Sequence, residues 1–188
     1  PFATKEDKLP DVYSVQEIQA LINACGNSKH KLLVLLQYDC GNRVGELVNM
    51  ELRHLDLNRN AIKIAHAKGK KDRYCFFSDT TKRLIELYLE EWKPTKYLFE
   101  AKPGEKYTIR SIQQVNITAK AKAGVKKKGA THILRHSFAT HLLEGGSDVA
   151  VIGTRLGHTP GSKATYRYAR ISRPVLQKQP CPGATMNF

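Results

Sequence analysis

The hydrophobic period changes once along this chain and then changes back, and that switch limits the fold to one class. Up to about Leu52 the apolar residues recur at helical spacing. Between Ala61 and Phe77 they alternate, as Ala61-Ile62-Lys63-Ile64-Ala65-His66 and, less regularly, as Arg73-Tyr74-Cys75-Phe76-Phe77. Alternation places every second side chain on one buried face, the pattern of a strand. Lys68-Gly69-Lys70-Lys71-Asp72 between the two runs predicts a β-hairpin turn. Helical spacing returns at Thr80 to Trp92, Ile109 to Ala123, Thr131 to Leu143 and Val149 to Leu156. Tyr97-Leu98-Phe99 is a candidate third strand. The expected architecture is mainly α, with a small antiparallel β-sheet set into it.

The first helices carry their own punctuation. Ser14-Val15-Gln16-Glu17 reads as a capping box that opens a helix with Ile18, Leu21 and Ile22 turned inward. Leu32 to Tyr38 predicts a strongly apolar second helix ended by Gly41, and Arg43 to Leu52 a third.

A chain of 188 residues suits one compact domain. No apolar run approaches the roughly 20 residues a membrane helix needs. The first residues also lack the apolar stretch of a signal peptide. A soluble protein without a membrane partner is therefore expected. The 31 Lys and Arg against 17 Asp and Glu, a net charge of +14, favour a polyanionic partner, since each neutralised phosphate releases counterions. Cys25, Cys40, Cys75 and Cys181 form no CxxC pair, so four reduced thiols are expected rather than a disulfide framework or zinc ribbon.

Four clusters carry candidate chemistry. In Gly41-Asn42-Arg43-Val44-Gly45-Glu46-Leu47, Arg43 and Glu46 are three residues apart on one helix face. They form either a surface ion pair worth about 0.3–0.5 kcal/mol, or a guanidinium oriented by a carboxylate to grip phosphate oxygens. Lys68, Lys70, Lys71 and Arg73 make a basic hairpin, either a solvated tip or an element that enters a DNA groove. In Thr131-His132-Ile133-Leu134-Arg135-His136, His132 and Arg135 lie in the first turn of a helix, where free N–H groups favour an anion. His132 and His136 have zinc-ligand spacing, but no Glu follows His132 and Arg135 would repel a dication. Finally, Leu156-Gly157-His158 ends a helix and precedes Thr165-Tyr166-Arg167-Tyr168-Ala169.

In this order, GNRVGEL, KGKKDR, HILRHSFATHLL, LGH and RYAR closely resemble the tyrosine recombinases of the phage-integrase and Xer type, from about Leu9 to about Arg173. The resemblance implies a catalytic domain of that family over residues 1–173, with 174–188 as a C-terminal tail. It implies that Arg43 is the first catalytic arginine, Lys68 the hairpin lysine, and His132 with Arg135 the His and second Arg of H-x-x-R. His158 matches the third-motif histidine and Tyr168 the nucleophile. The segment from His158 to Tyr168 is one residue longer than the family pattern, which leaves Tyr166 as a rival. Glu46 is a supporting residue, and Lys70, Lys71 and Arg73 are expected DNA contacts.

These residue types suit the implied chemistry. At pH 7 a phenolate costs about 4 kcal/mol to form from a tyrosine of ordinary pKa. Arg43 and Arg135 would stabilise charge on the phosphate, His132 would take or relay the phenol proton, and Lys68 would protonate the leaving 5′-oxygen. His158 would donate a hydrogen bond to the phosphate. The link formed conserves bond energy, so no ATP is expected, and cationic side chains would supply the charge of a metal ion, so no metal is expected either. The implied partners are double-stranded DNA, three further copies in a tetramer on paired sites, and accessory DNA-bending proteins, in the cytoplasm at the nucleoid. Family members carry an N-terminal clamp domain that is expected to be missing here, and weak DNA affinity is expected with it. Pro174, Pro180, Pro182 and Gly183 argue against a long helix in the tail. Three other functions compete: an inactive basic DNA-binding module, a type IB topoisomerase, and a metal-dependent hydrolase built on His132 and His136.

Overall fold

The computed structural model describes residues 11–65, 72–158 and 162. The capping box opens α1 (Val15–Asn23): Ser14 Oγ accepts from Glu17 N at 3.1 Å, and Glu17 Oε2 accepts from Ser14 N at 2.7 Å. α2 (Ser28–Cys40) starts at Asn27, whose side chain accepts from His30 N, and stops at Gly41 in the left-handed conformation. Leu32, Leu33 and Leu36 are fully buried, and α2 packs against α1, α4 and α6 as the central helix. Each such side chain stabilises the fold by about 1.5–3 kcal/mol on removal from water.

α3 (Val44–Leu47) is much shorter than the helix expected from Arg43 to Leu52. Asn49 Nδ2 turns back onto Gly45 O, Leu98 N donates to Met50 O, and Leu52 N donates to Lys96 O. Those tertiary bonds draw the backbone out of the helix before a 3₁₀ turn at Leu52–His54.

The sheet follows. β1 (Leu55–Asp56), β2 (Ala61–Ile64) and β3 (Arg73–Phe76) pair antiparallel in that order, with Ile62 opposite both Leu55 and Cys75. The third strand is thus Leu55–Asp56. Tyr97 makes only an isolated bridge with Glu51. α4 (Asp79–Trp92) starts at Ser78, which accepts from Thr81 N.

A second hairpin, β4 (Glu100–Lys102) with β5 (Glu105–Lys106), was not expected. The buried Glu100 carboxylate nucleates it by accepting from the backbone N–H groups of Thr95, Lys96 and Tyr97. Burial raises the Glu100 pKa, but those bonds outweigh it and bring the value to about 2. Buried Lys29 donates to Glu100 O at 2.8 Å with its ammonium 3.9 Å from the centre of the Trp92 ring, tying α2 and α4 to this hairpin.

α5 (Ile109–Lys122), α6 (Thr131–Glu144) and α7 (Val149–Leu156) complete the described elements. Phe138, Ala139, Leu143, Ile152 and Leu156 form a small core between α6 and α7, joined to the main core through Tyr38. The mainly α architecture with small antiparallel sheets agrees with the periodicity.

Two of the four cysteines lie together: Cys40 at the end of α2 and Cys75 of β3 have Cα atoms 5.7 Å apart. Packing of the α2 C-terminus on the sheet brings them together, and a separation of 35 residues gives no sign of it. Cys25 is free and buried, and Cys181 lies outside the described residues. Among the described residues no helix is long and apolar enough to cross a membrane.

Candidate active site

The ends of α2 and α7 meet beside β3, and glycine permits the approach. At Gly41 (φ 61°) a Cβ would run into the Phe138 ring and lie 2.9 Å from Leu156 Cδ2. Gly157 (φ 65°) caps α7, and a Cβ there would lie 2.8 Å from Arg73 Cδ. Both positions need the left-handed conformation and a bare backbone face.

Arg135, on α6, is buried between these two ends. Its Nη1 donates to Gly41 O at 2.5 Å and its Nη2 to Leu156 O at 2.8 Å. Nη2 also lies 3.1 Å from His158 Nε2. Since guanidinium only donates, Nε2 is the acceptor and the neutral ring carries its proton on Nδ1.

Arg43 sits at the start of α3 with about a third of its side chain exposed. Its backbone N donates to Glu46 Oε2 at 2.8 Å and its Nη1 to Glu46 Oε1 at 3.1 Å. Glu46 is buried and has a second cation, Arg73, whose Nη2 lies 2.8 Å from the same Oε2. Two guanidinium groups therefore share the Glu46 carboxylate, and those two with Arg135 act on the His158 imidazole. Burial first, then the charges of Arg135, Arg43 and Arg73, push the His158 pKa down to about 4, against an opposing pull from Glu46. The ring is neutral at pH 7, and the surplus of positive charge suits an anion.

Arg73 departs from its expected place among the DNA contacts. Only 9% of its side chain is exposed. Alternation along β3 turns Arg73 to the inner side with buried Cys75, while Tyr74 and Phe76 face outward.

A protein-family model described as the phage integrase family matches residues 12–173. This chain belongs to the phage integrase family. Tyrosine recombinase XerC of Staphylococcus epidermidis is 35% identical over 185 residues, a match spanning 93% of this chain and 62% of that protein. A putative integrase/recombinase, y4eF of Sinorhizobium fredii, is 31% identical over 173 residues, covering 92% of this chain and 68% of its own length. The crystal structure of XerA recombinase superposes with a TM-score of 0.79 at 27% identity, over 93% of this chain and 64% of that one. The described fold is thus that of a tyrosine recombinase catalytic domain.

Within this integrase-family domain, Arg43, Glu46, Arg73, Arg135 and His158 come together as one cluster. His132 is exposed on the first turn of α6, where Ala130 supplies no side-chain cap, and it lines a cavity of about 590 Å³ with Ile117, Lys120 and Val125. Lys68, Lys70, Lys71, Tyr166 and Tyr168 lie outside the described residues. Among the described residues no group of three or more His, Cys, Asp or Glu side chains converges as metal ligands would.

Two contributors escaped the sequence reading. Asn42 is buried and accepts from Arg73 Nη2 at 3.0 Å. Arg155 offers its backbone O to Arg73 Nη1 at 2.7 Å, and its own Nη2 donates to Phe76 O. The two glycines that flank these residues, Gly41 and Gly157, were legible as helix ends, and they mark the places where these contacts are made.

Proposed function

We propose that this chain is the catalytic domain of a site-specific DNA recombinase that breaks and rejoins DNA through a covalent tyrosine–phosphate link. The observation that carries the proposal is the convergence of Arg43, Arg135 and a neutral His158 at one cationic position. Two planar guanidinium forks and an imidazole N–H match the non-bridging oxygens of a phosphodiester. They also answer the extra negative charge of a pentacoordinate phosphorus, so the site favours the transition state over the substrate.

In the proposed step the Tyr168 oxygen attacks phosphorus, a P–O bond forms, and the P–O5′ bond breaks. The phenol proton leaves to His132, directly or through water. Lys68 donates a proton to the departing 5′-oxygen. The products are a 3′-phosphotyrosine and a 5′-hydroxyl, and attack by a 5′-hydroxyl reverses the step. Bond energy is conserved in the ester, so the step needs no ATP. The arginines supply the charge stabilisation that a metal ion supplies in other phosphoryl transfers. The proposed boundaries are residues 1–173 for the catalytic domain and 174–188 for the tail. Double-stranded DNA is the substrate, and four copies on paired sites, with DNA-bending proteins as accessories, are the proposed working assembly in the cytoplasm.

Covalent trapping tests this. The protein is incubated with labelled, nicked DNA fragments from its source genome and denatured in SDS. Wild type is expected to yield a DNA-linked protein band that Tyr168→Phe loses and Tyr166→Phe keeps. Loss in Tyr166→Phe alone would move the nucleophile by two residues. No adduct from wild type would overturn the proposal in favour of a DNA-binding module.

A further inference from the structure

We propose that Arg73 is a positioning residue that fixes the orientation of the α7 end, and hence of His158, relative to Arg43. The inference rests on the preceding assignment of Arg43, Arg135 and His158 as phosphate-binding groups.

The case begins with how two pieces of backbone are joined. One piece is the turn from Gly41 to Glu46, which carries Arg43. The other is the last turn of α7 through Gly157, which carries His158. Arg135 spans them with one side chain, from Gly41 O to Leu156 O and His158 Nε2. A single strut fixes a distance and still allows pivoting about its axis. Arg73 supplies a second strut alongside: Nη1 to Arg155 O on the α7 side, and Nη2 to Asn42 Oδ1 and Glu46 Oε2 on the other. Two non-coincident struts remove the pivot.

The chemistry of the strut matters as much as its place. A guanidinium is planar and rigid, so its two outer nitrogens hold their acceptors at a set separation; a lysine ammonium is a point charge that reaches one side only. On the Glu46 side, the oxygen that takes Arg73 also takes the Arg43 backbone N–H, so Arg73 reaches Arg43 through one shared atom. On the α7 side, Arg155 O adjoins the Leu156 carbonyl held by Arg135. The stem of Arg73 runs against the bare backbone of Gly157, so the C-cap glycine is also the space through which the strut passes. Arg73 Nε and Asn42 Nδ2 are buried and unpartnered, so the side chain holds this position without satisfying every donor.

Arg73→Lys and Arg73→Gln test the assignment through three measurements. These are single-turnover cleavage of nicked DNA at saturating protein, DNA affinity by fluorescence anisotropy, and an NMR titration of the His158 ring. The charged groups around that ring are Arg135, Arg43, Arg73 and Glu46. Loss of positioning predicts cleavage slower by about 10²-fold in Arg73→Gln, the scale of an ångström of misplacement, with unchanged affinity. Arg73→Lys is expected to keep the His158 pKa low and still cleave more slowly than wild type, which separates geometry from charge. Arg73→Gln should raise that pKa. A wild-type cleavage rate in Arg73→Lys would overturn the proposal, as would a loss fully accounted for by weaker DNA binding. Should wild type itself give no adduct, the recombinase assignment fails separately. The titration then decides the placement: an unmoved His158 pKa in Arg73→Gln rejects it. If Arg73→Gln does not fold, Arg73→Lys alone still decides, since its retained charge leaves only the lost fork.

Discussion

Arg43 and Arg135 belong to the same candidate phosphate site and are held in different ways. Arg43 leans on a carboxylate, keeps about a third of its side chain in solvent, and sits at the start of a four-residue helix. Arg135 is buried in the middle of the fold, and both of its outer nitrogens are bonded to main-chain oxygens of separate segments. The first is a side chain presented to a ligand. The second is at once presented and built into the frame. Equal proposed roles in phosphate binding therefore conceal unequal structural ones, and measurements of stability beside cleavage would expose the difference.

The largest effect is expected at Arg135. Arg135→Ala leaves Gly41 O and Leu156 O buried without their donor, at about 1–3 kcal/mol each, and removes a transition-state cation worth about 10²–10³-fold in rate. Urea denaturation and single-turnover cleavage should both record heavy losses. A stability change no greater than that of an exposed substitution would break the comparison.

The intermediate effect is a pH dependence at the Arg135 end. The His158 pKa lies at about 4 in the folded chain against an ordinary 6.5. Between those values the unfolded chain binds more protons than the folded one, so stability rises with pH from about 4 to 6.5 and levels off above. Urea midpoints at closely spaced pH values should show that slope in wild type and a shallower one in His158→Asn. Equal slopes would mean that His158 is as accessible as Arg43.

The smallest effect on stability belongs to Arg43→Ala. Glu46 keeps its ion pair with Arg73, and Arg43, about a third exposed, can be replaced by water at that carboxylate, so the loss should be about 1 kcal/mol. Cleavage should nonetheless fall by about 10²–10³-fold. A denaturation midpoint shifted as far as that of Arg135→Ala would show that Arg43, too, is part of the frame.

Local signals were legible where local chemistry decides the backbone. The Ser14–Glu17 box and the Gly41 stop are settled within a few residues, and the alternating runs Ala61–Ile64 and Arg73–Phe76 satisfy each other as neighbouring strands. The second hairpin was not legible, because Glu100-Ala101-Lys102 does not alternate and is held by a buried carboxylate that accepts from the N–H groups of Thr95, Lys96 and Tyr97. The truncation of α3 escaped because its competing bonds come from far along the chain, at Lys96 and Leu98. Of the site, Arg43, Arg135 and His158 stand out as motifs. Arg73 was misplaced because it was read with its basic neighbours along the chain. The strand period, which sets it on the face of Cys75 and away from Tyr74, carried the better signal.

The anchoring of Arg135 on main-chain oxygens also has a genetic consequence. Every residue type carries the same carbonyl, so point mutation cannot delete the two main-chain acceptors of Arg135, Gly41 O and Leu156 O; it can only displace them. The mutational target for that anchorage shrinks to the arginine codon itself and the few positions, Gly41 foremost, whose side-chain volume would push the backbone aside. Substitutions that leave the backbone in place therefore leave these two bonds of Arg135 intact.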